Sequence, residues 1–333
     1  MKKKIVFSGI QPSGKLTIGN YIGVIKQWVK MQKKYTCIFC IVDLHTITVN
    51  KINFNLNDTI LDTLSLYLAC GVNPKKSIIF IQSNILEHTQ LSWILNSYTY
   101  YGELKRMTQF KNKLIKYNFK NINSGIFIYP VLMASDILLY KTSYVPIGND
   151  QKQHIELCRN IANRFNNIYG NIFNIPKPCI LKYGGKILSL QEPNKKMSKS
   201  DGNYNNVIYL LEKKQNILKK IKLAKTDSDK NYNIKYDIIN KPGISNILNI
   251  FSSLTGNKIN EIEKKFNGKM YSDLKYETSK ILSFFIERIQ ENYYNIRNKK
   301  SFLKDIIYDG TIKARKIAKR NLNKIKKKIN LIK

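Results

Sequence analysis

Hydrophobic and polar positions follow one pattern in the first part of the chain and another after about residue 205. In the first part, short and almost wholly apolar runs alternate with amphipathic ones. The apolar runs predict buried strands at 3–10, 37–44 and 77–83, and the amphipathic runs predict helices at 18–34 and 57–71. Apolar strands that alternate with helices are typical of a parallel sheet covered on both faces. This part of the chain is therefore predicted to be an α/β domain.

The alternation continues through 124–140 and 145–165, in each of which a strand or loop is predicted before a helix. Beyond Asn203 the apolar residues have helical spacing throughout, and no segment is a convincing strand. The helical runs are 206–224, 245–256, 272–298 and 311–333. A chain of 333 residues is long enough for two ordinary domains. We therefore predict an α/β domain over 1–205 and a helical domain over 206–333, whose last helix can pack back onto the first domain.

The chain carries 57 Lys and Arg residues against 22 Asp and Glu, a formal net charge of +35. A balance this basic is typical of proteins that bind nucleic acid. Lys, Ile and Asn are all abundant, however, and their codons are rich in A and T, so part of the charge can follow from genome composition. The distribution is more informative, because 300–333 is a basic helical run whose only acidic residues are Asp305 and Asp309. This favours a polyanion near the C-terminal end over a merely solvated helix.

The chain has five cysteines, of which Cys37 and Cys40 form a C-x-x-C pair. That spacing occurs in zinc sites and redox centres, but here it lies within a continuous apolar run with strand character. Residues three apart on a strand point to opposite faces, and no second pair has the spacing of metal ligands. We expect buried, reduced thiols rather than a metal site.

The N-terminal segment has lysines at positions 2–4 but only a short apolar run before Ser8 and Gly9, too short for a signal peptide. No stretch approaches the roughly twenty apolar residues that a membrane-spanning helix needs. From these two observations we expect a soluble, cytoplasmic protein without a membrane partner.

The run FSGIQPSGKLTIGN, residues 7–20, follows the first predicted strand and leads into a helix that begins near Ile18. Its Gly and Pro residues suit a tight turn, and a strand–turn–helix junction offers free N–H groups and a positive dipole to an anion. It is not a Walker A motif, because Gly14-Lys15 is followed by Leu16 instead of the hydroxyl residue that binds magnesium. It is therefore either a phosphate site of another type or an ordinary loop.

A second polar segment, NKKMSKSDGN at 194–203, holds three lysines, two serines and several turn-forming residues. A segment this polar cannot lie in a hydrophobic core, so it is either a solvated basic loop or a loop that binds an anion. Its combination with the first run favours the anion-binding interpretation.

These two segments resemble the two signature motifs of the class I aminoacyl-tRNA synthetases. Residues 12–20, PSGKLTIGN, are similar to the HIGH-region motif in its tryptophanyl form, and KMSKS at 196–200 is the second signature, complete. Between them, 129–140 and 145–166 are similar to the bacterial tryptophanyl-tRNA synthetase family, in matching order and spacing. The resemblance runs from Ile5 into the helical C-terminal part.

The resemblance implies an enzyme that activates L-tryptophan with ATP and then transfers the amino acid to tRNA(Trp). It also implies a Rossmann-like catalytic domain over 1–205, which binds ATP and tryptophan, and a helical anticodon-recognition domain over 206–333. Magnesium is expected to accompany the ATP, and a homodimer is expected because the family forms one.

By the resemblance, Lys196, Ser198 and Lys199 close over the β- and γ-phosphates of ATP as negative charge develops there. Lys111 is a further phosphate contact. Gly19 leaves room for adenosine against the start of the helix. The matched ATP-binding positions are Gln11, Pro12, Ser13, Gly19, Asn20, Gly148, Asn149, Asp150, Ile187, Lys196, Met197, Ser198, Lys199 and Ser200. Asn149 stands where the family has Glu.

A tryptophan pocket has to hold a flat apolar ring with one buried donor, the indole N–H. By the resemblance, Asp136 accepts that hydrogen bond and Met133 lies against the ring. Tyr129 and Gln151 match positions that bind the α-amino group. The other matched positions are Phe7, His45, Val145 and Ile147. An ordinary alternative for Asp136 is a helix N-cap, since Asp is common at that position.

The three histidines, His45, His88 and His154, are far apart in sequence and lack the spacing of metal ligands. We therefore predict no metal site. His45 lies at the end of a predicted strand and matches a position near the family's active site, and its role is left open.

Two other functions are weighed against this one. A tyrosyl-tRNA synthetase would have the same fold, but PSGKLTIGN and the pair Met133 and Asp136 favour tryptophan. A basic RNA-binding protein with a degenerate ATP site is disfavoured, because both phosphate motifs are intact and a dead site has no need of them.

Overall fold

Five parallel strands form one sheet in the computed structural model, which describes residues 3–12, 15–48, 55–117, 122–179, 187–198, 201–227 and 234–332. The strands are β1 (Ile5–Ile10), β2 (Thr36–Ile41), β3 (Ser77–Ile81), β4 (Tyr144–Pro146) and β5 (Lys177–Cys179). Their order is β3-β2-β1-β4-β5, and every neighbouring pair is parallel. The order reverses between β1 and β4, which creates a crevice at the carboxyl ends of these two strands.

Helices run between the strands and make up most of the chain that follows them. The earlier helices are α1 (Ile18–Asn20), α2 (Lys26–Met31), α3 (Asp43–Thr46), α4 (Leu56–Ala69), α5 (Glu87–Asn96), α6 (Tyr101–Lys105), α7 (Thr108–Tyr117), α8 (Ser124–Leu138) and α9 (Lys152–Tyr169). The later ones are α10 (Lys214–Leu223), α11 (Pro242–Thr255), α12 (Ile259–Lys265), α13 (Tyr271–Arg297) and α14 (Lys300–Lys328). A π-helical turn, Tyr21–Ile25, joins α1 to α2. Among the described residues, no helix is both long and apolar enough to cross a bilayer.

The sheet is buried on both faces, as the wholly apolar strands predict. Alternate residues of β2 enter different cores: Cys37 and Phe39 pack on one face with α4, α11 and α13, whereas Ile38 and Cys40 pack on the other with α5, α8 and α9. The two cysteines of the C-x-x-C pair therefore lie on opposite faces and cannot bind one ion together. Burial raises the pKa of the Cys37 thiol to about 12, which keeps it protonated at neutral pH.

The three long strands and the helices α2 and α4 lie where the hydrophobic pattern predicts them. The run 124–140 differs, because it is helical almost throughout as α8 instead of beginning with a strand or loop. Asn123 caps α8 by accepting a hydrogen bond from the Ile126 N–H at 2.9 Å, and Pro130 lies inside the helix. The strands β4 and β5 have only three residues each, too few for a repeating pattern to reveal them.

The segment 206–213 is predicted to be helical, and the structure shows that this is wrong. Leu210 donates its N–H to the carbonyl of Leu16 at 2.8 Å, and Ile18 donates to the carbonyl of Ile208 at 2.9 Å. These bonds form a short antiparallel pairing with the N-terminal motif, and α10 begins only after it. A short apolar segment fits a helix or a strand equally well, so the backbone partner that the motif offers decides between them.

The last helix, α14, lies against β3 and α5, so the end of the chain returns to the sheet. Gly310 makes the closest approach, since a Cβ built at this position would lie 1.7 Å from the carbonyl oxygen of Ile79. Only glycine permits that approach, because any side chain would collide with the backbone of β3. α14 thereby covers a strand whose free edge would otherwise be open to other chains.

Candidate active site

Many of the predicted site residues follow the carboxyl ends of the strands, at the edge of the sheet where the strand order reverses between β1 and β4. Gln11 follows β1, His45 lies on α3 after β2, and the segment 148–151 follows β4. The neighbouring helix α8 carries the predicted residues Tyr129, Met133 and Asp136. Because parallel strands all end at one edge of the sheet, residues that are distant in sequence meet here.

Asp136 is buried, and its carboxylate receives hydrogen bonds from three side chains. His45 Nε2 lies 2.9 Å from Oδ2, His88 Nδ1 lies 2.6 Å from Oδ1, and the Gln82 amide nitrogen lies 2.8 Å from both oxygens. These donors come from α3, from α5 and from the turn after β3. A buried carboxylate would be costly without such partners.

The pKa of Asp136 reflects two opposing effects. Burial raises it, but the hydrogen bonds from His45 and His88 outweigh burial and hold the pKa below its ordinary value. The carboxylate is therefore ionised at neutral pH. Nε2 of His88 also lies 2.8 Å from the Tyr140 hydroxyl, so both ring nitrogens of this histidine are engaged. The result is a charged hydrogen-bond acceptor that is fixed in orientation.

The helix-cap interpretation of Asp136 is wrong. Asp136 lies in the last turn of α8, and the N-cap of this helix is Asn123. A carboxylate at the end of a helix meets the negative end of the helix dipole, so it gains nothing from that position. The hydrogen bonds from the two histidines and from Gln82 stabilise it there instead.

Tyr129 lies two turns before Asp136 on α8, and its hydroxyl contacts two side chains. It donates to Gln109 Oε1 at 3.0 Å, so His154 Nε2, at 2.8 Å, has to be the protonated nitrogen that donates to it. The buried Nδ1 of His154, which has no hydrogen-bond partner among the described residues, agrees with this tautomer. Burial lowers the pKa of His154 to about 4, so the ring is neutral at pH 7. Neutral groups therefore hold the Tyr129 hydroxyl in place.

Apolar side chains form the wall of the same region. Phe7 of β1 stacks on Tyr140, with ring centres 5.6 Å apart and an interplanar angle of 11°. Val145 and Ile147 are buried in the same core, and Met133 packs against it. The four apolar positions predicted for the pocket thus belong to one cluster.

Two predicted residues are not placed with this cluster. Gln151 donates to the Asp150 carboxylate at 3.2 Å, on the side of the positions predicted to bind ATP. Lys111 is exposed on α7, where Gln109 donates to the Asp150 carbonyl at 3.5 Å. The helix α7 is therefore beside the site, but no contact joins Lys111 to the site residues that the structure describes.

The two signature motifs meet at Gly19. A Cβ built at Gly19 would lie 3.7 Å from the Ile187 Cβ and 4.0 Å from the Met197 Cβ, so these two side chains lie directly over the glycine. A hairpin over 187–197 carries both of them, and the burial of Met197 anchors it in the core. Ser13, Lys199 and Ser200, and the side chain of Asn149, lie outside the described residues.

The N-terminal motif also shapes the start of its own helix. The Thr17 hydroxyl accepts from the Asn20 N–H at 3.2 Å, and the Thr17 N–H donates to Asn20 Oδ1 at 3.0 Å. This reciprocal capping fixes the side chain of Asn20 at the helix start. Gln11 donates to the His45 carbonyl at 3.2 Å, and Pro12 is buried next to it. The motif is therefore connected to the α3 side of the site.

Lys196 forms an ion pair with Asp150, with Nζ 2.9 Å from Oδ1. Both side chains are about half exposed, so the pair is weak and can open. Burial raises the pKa of Asp150, but the hydrogen bond from Lys196 outweighs it and holds the pKa below its ordinary value. Gly148 lies against the pair, since a Cβ there would be 2.6 Å from Asp150 Oδ1. The Lys196 ammonium can therefore leave the Asp150 carboxylate and pair with an incoming anion.

Sequence reasoning missed four residues of the site, namely Gln82, His88, Gln109 and His154. From the sequence, metal binding is the role to consider for the three histidines. In the structure they instead form hydrogen bonds with side chains of α8. Gln82 directly follows β3, and this position at the carboxyl edge is the signal that could have found it. Among the described residues, no group of three or more His, Cys, Asp or Glu is arranged to hold a metal ion.

Comparison with known proteins places the chain among aminoacyl-tRNA synthetases. Residues 1–286 match the family described as tRNA synthetases class I (W and Y). The chain is 55% identical over 325 residues, 97% of each chain, to the tryptophan–tRNA ligase of Buchnera aphidicola subsp. Schizaphis graminum. It is similar to the crystal structure of tryptophanyl-tRNA synthetase from Mycoplasma pneumoniae, with 34% identity, a TM-score of 0.92 and coverage of 99% of this chain and 98% of the other. The enzyme from Campylobacter jejuni, crystallised with ADP and tryptophan, is 34% identical with a TM-score of 0.80 and coverage of 98% and 99%.

We predict that Asp136 stabilises the fold at neutral pH but not in acid. Its folded pKa is depressed below the unfolded value of about 3.9, so the ionised carboxylate contributes stability above that value, and the contribution is lost as pH falls through the folded pKa. Asp136→Asn should therefore unfold at a lower temperature than the wild type at pH 7, and the gap should narrow below about pH 4. Thermal unfolding between pH 7 and pH 3 measures the gap, and a gap independent of pH would contradict the prediction.

Proposed function

The chain belongs to the class I family of tRNA synthetases for tryptophan and tyrosine, and we propose that it acts as a tryptophan–tRNA ligase. It activates L-tryptophan with ATP to give tryptophanyl-adenylate and pyrophosphate, and then transfers tryptophan to tRNA(Trp). One observation carries this function within the family: the buried, ionised Asp136 accepts a hydrogen bond from His45, whose carbonyl accepts one from Gln11 of the N-terminal motif. The similarity to tryptophan enzymes over nearly the whole chain supports the same specificity.

Activation is an in-line attack of the tryptophan carboxylate on the α-phosphate of ATP, which expels pyrophosphate. Such chemistry needs positioning and neutralisation of charge more than covalent help. We assign the neutralisation to Lys196, Ser198 and Lys199, with Lys111 as a further phosphate contact. The ion pair of Lys196 supports the assignment, because its half-exposed ammonium can exchange the Asp150 carboxylate for a phosphate.

ATP lies, in this proposal, between the N-terminal motif and the segment after β4. Both glycines lie beside the hairpin, because Ile187 and Met197 lie over Gly19 and the Lys196 ammonium would be 3.6 Å from a Cβ built at Gly148. The remaining positions assigned to ATP are Gln11, Pro12, Ser13, Asn20, Asn149, Asp150, Ile187, Met197 and Ser200. Magnesium is expected to arrive with ATP as part of the nucleotide substrate, because Mg²⁺ is usually held by substrate phosphates and waters.

The indole ring fits the apolar cluster of Phe7, Met133, Val145 and Ile147, and Asp136 accepts the ring N–H. A carboxylate offers about four lone-pair directions, and His45, His88 and Gln82 already donate to its two oxygens. Gln82 reaches both oxygens, so it is the donor that can leave one of them to the indole. Tyr129 and Gln151 bind the α-amino group, and His45 lies between Asp136 and Tyr129.

Residues 1–205 are assigned to catalysis and 206–333 to recognition of the tRNA anticodon. A tRNA contact along α14 is supported by its two faces: one packs on the sheet and the other is basic and exposed. The exposed basic residues include Lys313, Lys319 and Arg320. A row of cations on a helix that is fixed to the core can follow a phosphate backbone.

The protein is further proposed to work as a homodimer in the cytoplasm. An exposed apolar surface supports the dimer, because Leu86, at the N-cap of α5, and Trp93, within α5, are 74% and 78% exposed. Trp93 lines a cleft of about 480 Å³ together with Ile47 and Ile128. Contiguous apolar surface of this kind marks an interaction site, and a second copy related by a twofold axis would cover it.

The function is tested by exchange of pyrophosphate into ATP without tRNA, which we expect with tryptophan and at a much lower rate with any other amino acid. In Asp136→Ala the preference for tryptophan over an analogue without the ring N–H should collapse, because the lost hydrogen bond is worth about 1.5–3 kcal/mol. Values of kcat/KM for both substrates and both proteins measure this preference.

In the exchange assay, a rate with tyrosine equal to or above the rate with tryptophan would overturn the proposed specificity for tryptophan. Folded protein that exchanges with no amino acid would favour an RNA-binding protein with a degenerate ATP site.

The role of KMSKS is tested at its first lysine. Lys196→Ala should lower kcat for adenylate formation by about 100-fold or more, because the charge acts on phosphate oxygens mainly in the transition state. The Kd for tryptophan should change by less than about twofold, and we expect the same of Lys199→Ala. Lys195→Ala is the matched control, since this neighbouring lysine is exposed and pairs with Glu192. A near-normal kcat in Lys196→Ala would make the segment a solvated basic loop.

The basic face of α14 is tested by replacing Lys313, Lys319 and Arg320 with Gln. Binding of tRNA should weaken and depend less steeply on salt, because fewer counterions are released, while exchange without tRNA stays unchanged. Arg315 is left in place because its guanidinium donates to the Asn84 carbonyl. The control replaces Lys33, Lys34 and Lys75, which are exposed just before β2 and β3. Equal salt dependence in the α14 variant and the wild type would exclude this face as the tRNA contact.

A further inference from the structure

The hairpin over 187–197 has a polar backbone edge for which the mechanism above gives no role. Leu188 and Lys196 face each other on its two strands. The backbone bonds that flank this pair, 2.9 and 3.0 Å long, join the residues on either side of Leu188 to those on either side of Lys196. In antiparallel strands a pair flanked in this way shares no hydrogen bond of its own. The N–H and C=O of Leu188 therefore point away from Lys196, toward the outside of the hairpin.

One side chain, that of Asn246 on α11, meets both of these groups. Its Oδ1 accepts from the Leu188 N–H at 2.8 Å, and its Nδ2 donates to the Leu188 carbonyl at 3.0 Å. Asn246 is 1% exposed and Leu188 is 9% exposed, so water has no access to replace these bonds. The carboxamide thus takes the place of a neighbouring strand along this edge.

We propose that Asn246 is a positioning residue for the KMSKS hairpin: its two bonds to Leu188 fix the strand opposite Lys196 and so set where the Lys196 ammonium stands relative to the phosphates of ATP. The role assigned to Lys196 under the proposed function is a premise of this inference. A carboxamide is suited to the task because it offers one acceptor and one donor at a fixed separation, as a peptide group does.

The hairpin is also held at Leu190, which accepts from the Lys225 N–H at 2.8 Å and donates to the Asn206 carbonyl at 3.2 Å, whereas the attachment next to Lys196 is apolar. Met197, next to Lys196, is held over Gly19 by packing, which restrains the hairpin without fixing its direction. The hydrogen bonds from Asn246 are directional, so they fix the direction of the hairpin through the strand opposite Lys196. A displacement of about 1 Å in a group that neutralises charge can cost up to about 100-fold in rate, so small rotations of the hairpin would be felt in catalysis.

A purely structural role would show itself differently. In that case Asn246 would only satisfy two buried backbone groups, and its loss would lower the thermal midpoint without changing the chemical step of the protein that remains folded. Asn249 provides a matched control for this effect. It lies one turn further along α11, is 8% exposed, and donates to the Tyr236 hydroxyl at 3.4 Å instead of to the hairpin.

The experiment compares Asn246→Asp, Asn246→Leu and Asn249→Ala with the full-length wild type. Asp keeps the acceptor for the Leu188 N–H but places an oxygen against the Leu188 carbonyl, and Leu removes both bonds at a similar volume. We measure single-turnover adenylate formation with tryptophan and ATP, the Kd for tryptophan by equilibrium dialysis, and the thermal midpoint. All rates are taken well below the lowest midpoint.

We expect the rate of adenylate formation to fall by about 10- to 100-fold in Asn246→Leu and by less in Asn246→Asp, because one of the two bonds remains in the latter. The Kd for tryptophan should stay within about twofold in both, and Asn249→Ala should match the wild-type rate.

The inference would be overturned if both Asn246 variants formed the adenylate as fast as Asn249→Ala does, whatever their thermal midpoints. Loss of a folded transition in both variants would also overturn it, since Asn246 would then be required for folding. Wild-type protein that forms no adenylate would instead reject the proposed function itself.

Discussion

A parallel sheet has to be covered on both faces, and the arrangement of this chain follows from that constraint. The helices α5, α8 and α9 cover one face of the sheet, and α4 covers the other together with α11 and α13 from the later part of the chain. The residues after 205 therefore complete the core of the residues before it, and α14 covers the edge strand β3 at Gly310. The carboxyl ends of the strands remain as the place where polar side chains can gather, so the location of the site has the same origin.

One half of the site is buried and the other is exposed to solvent, and the charged groups of the two halves are held differently. Around Asp136 every group is buried, and two histidines and a glutamine hold one carboxylate, because a buried charge without partners is unfavourable. Around Lys196 and Asp150 the ion pair is half exposed and weak. A rigid acceptor suits the recognition of one flat ring, whereas a displaceable cation suits phosphates that enter, change their charge and leave.

The two halves are joined by backbone contacts between segments that are far apart in sequence. The segment after KMSKS pairs with the N-terminal motif through Leu210 and Ile208, and the hairpin before it places Ile187 and Met197 over Gly19. The later helices enter this assembly directly, since α11 supplies Asn246 to the hairpin. The two signature motifs are thus parts of one packed structure that draws on both ends of the chain.

The sequence by itself determined the parallel α/β core, the longer helices and the two signature motifs, because each rests on a local pattern: an apolar run, a helical period or a string of turn residues and lysines. It did not reveal that 206–213 pairs with the N-terminal motif, or that His88 and His154 turn toward α8, since no local pattern records a partner that lies elsewhere in the chain. For Asp136 the sequence left two roles open, acceptor of the indole N–H or helix N-cap, and its place in the last turn of α8 rules out the cap. Only the tertiary structure could decide these points, because hydrogen bonds between distant segments depend on the sheet, which brings the ends of its strands to one edge.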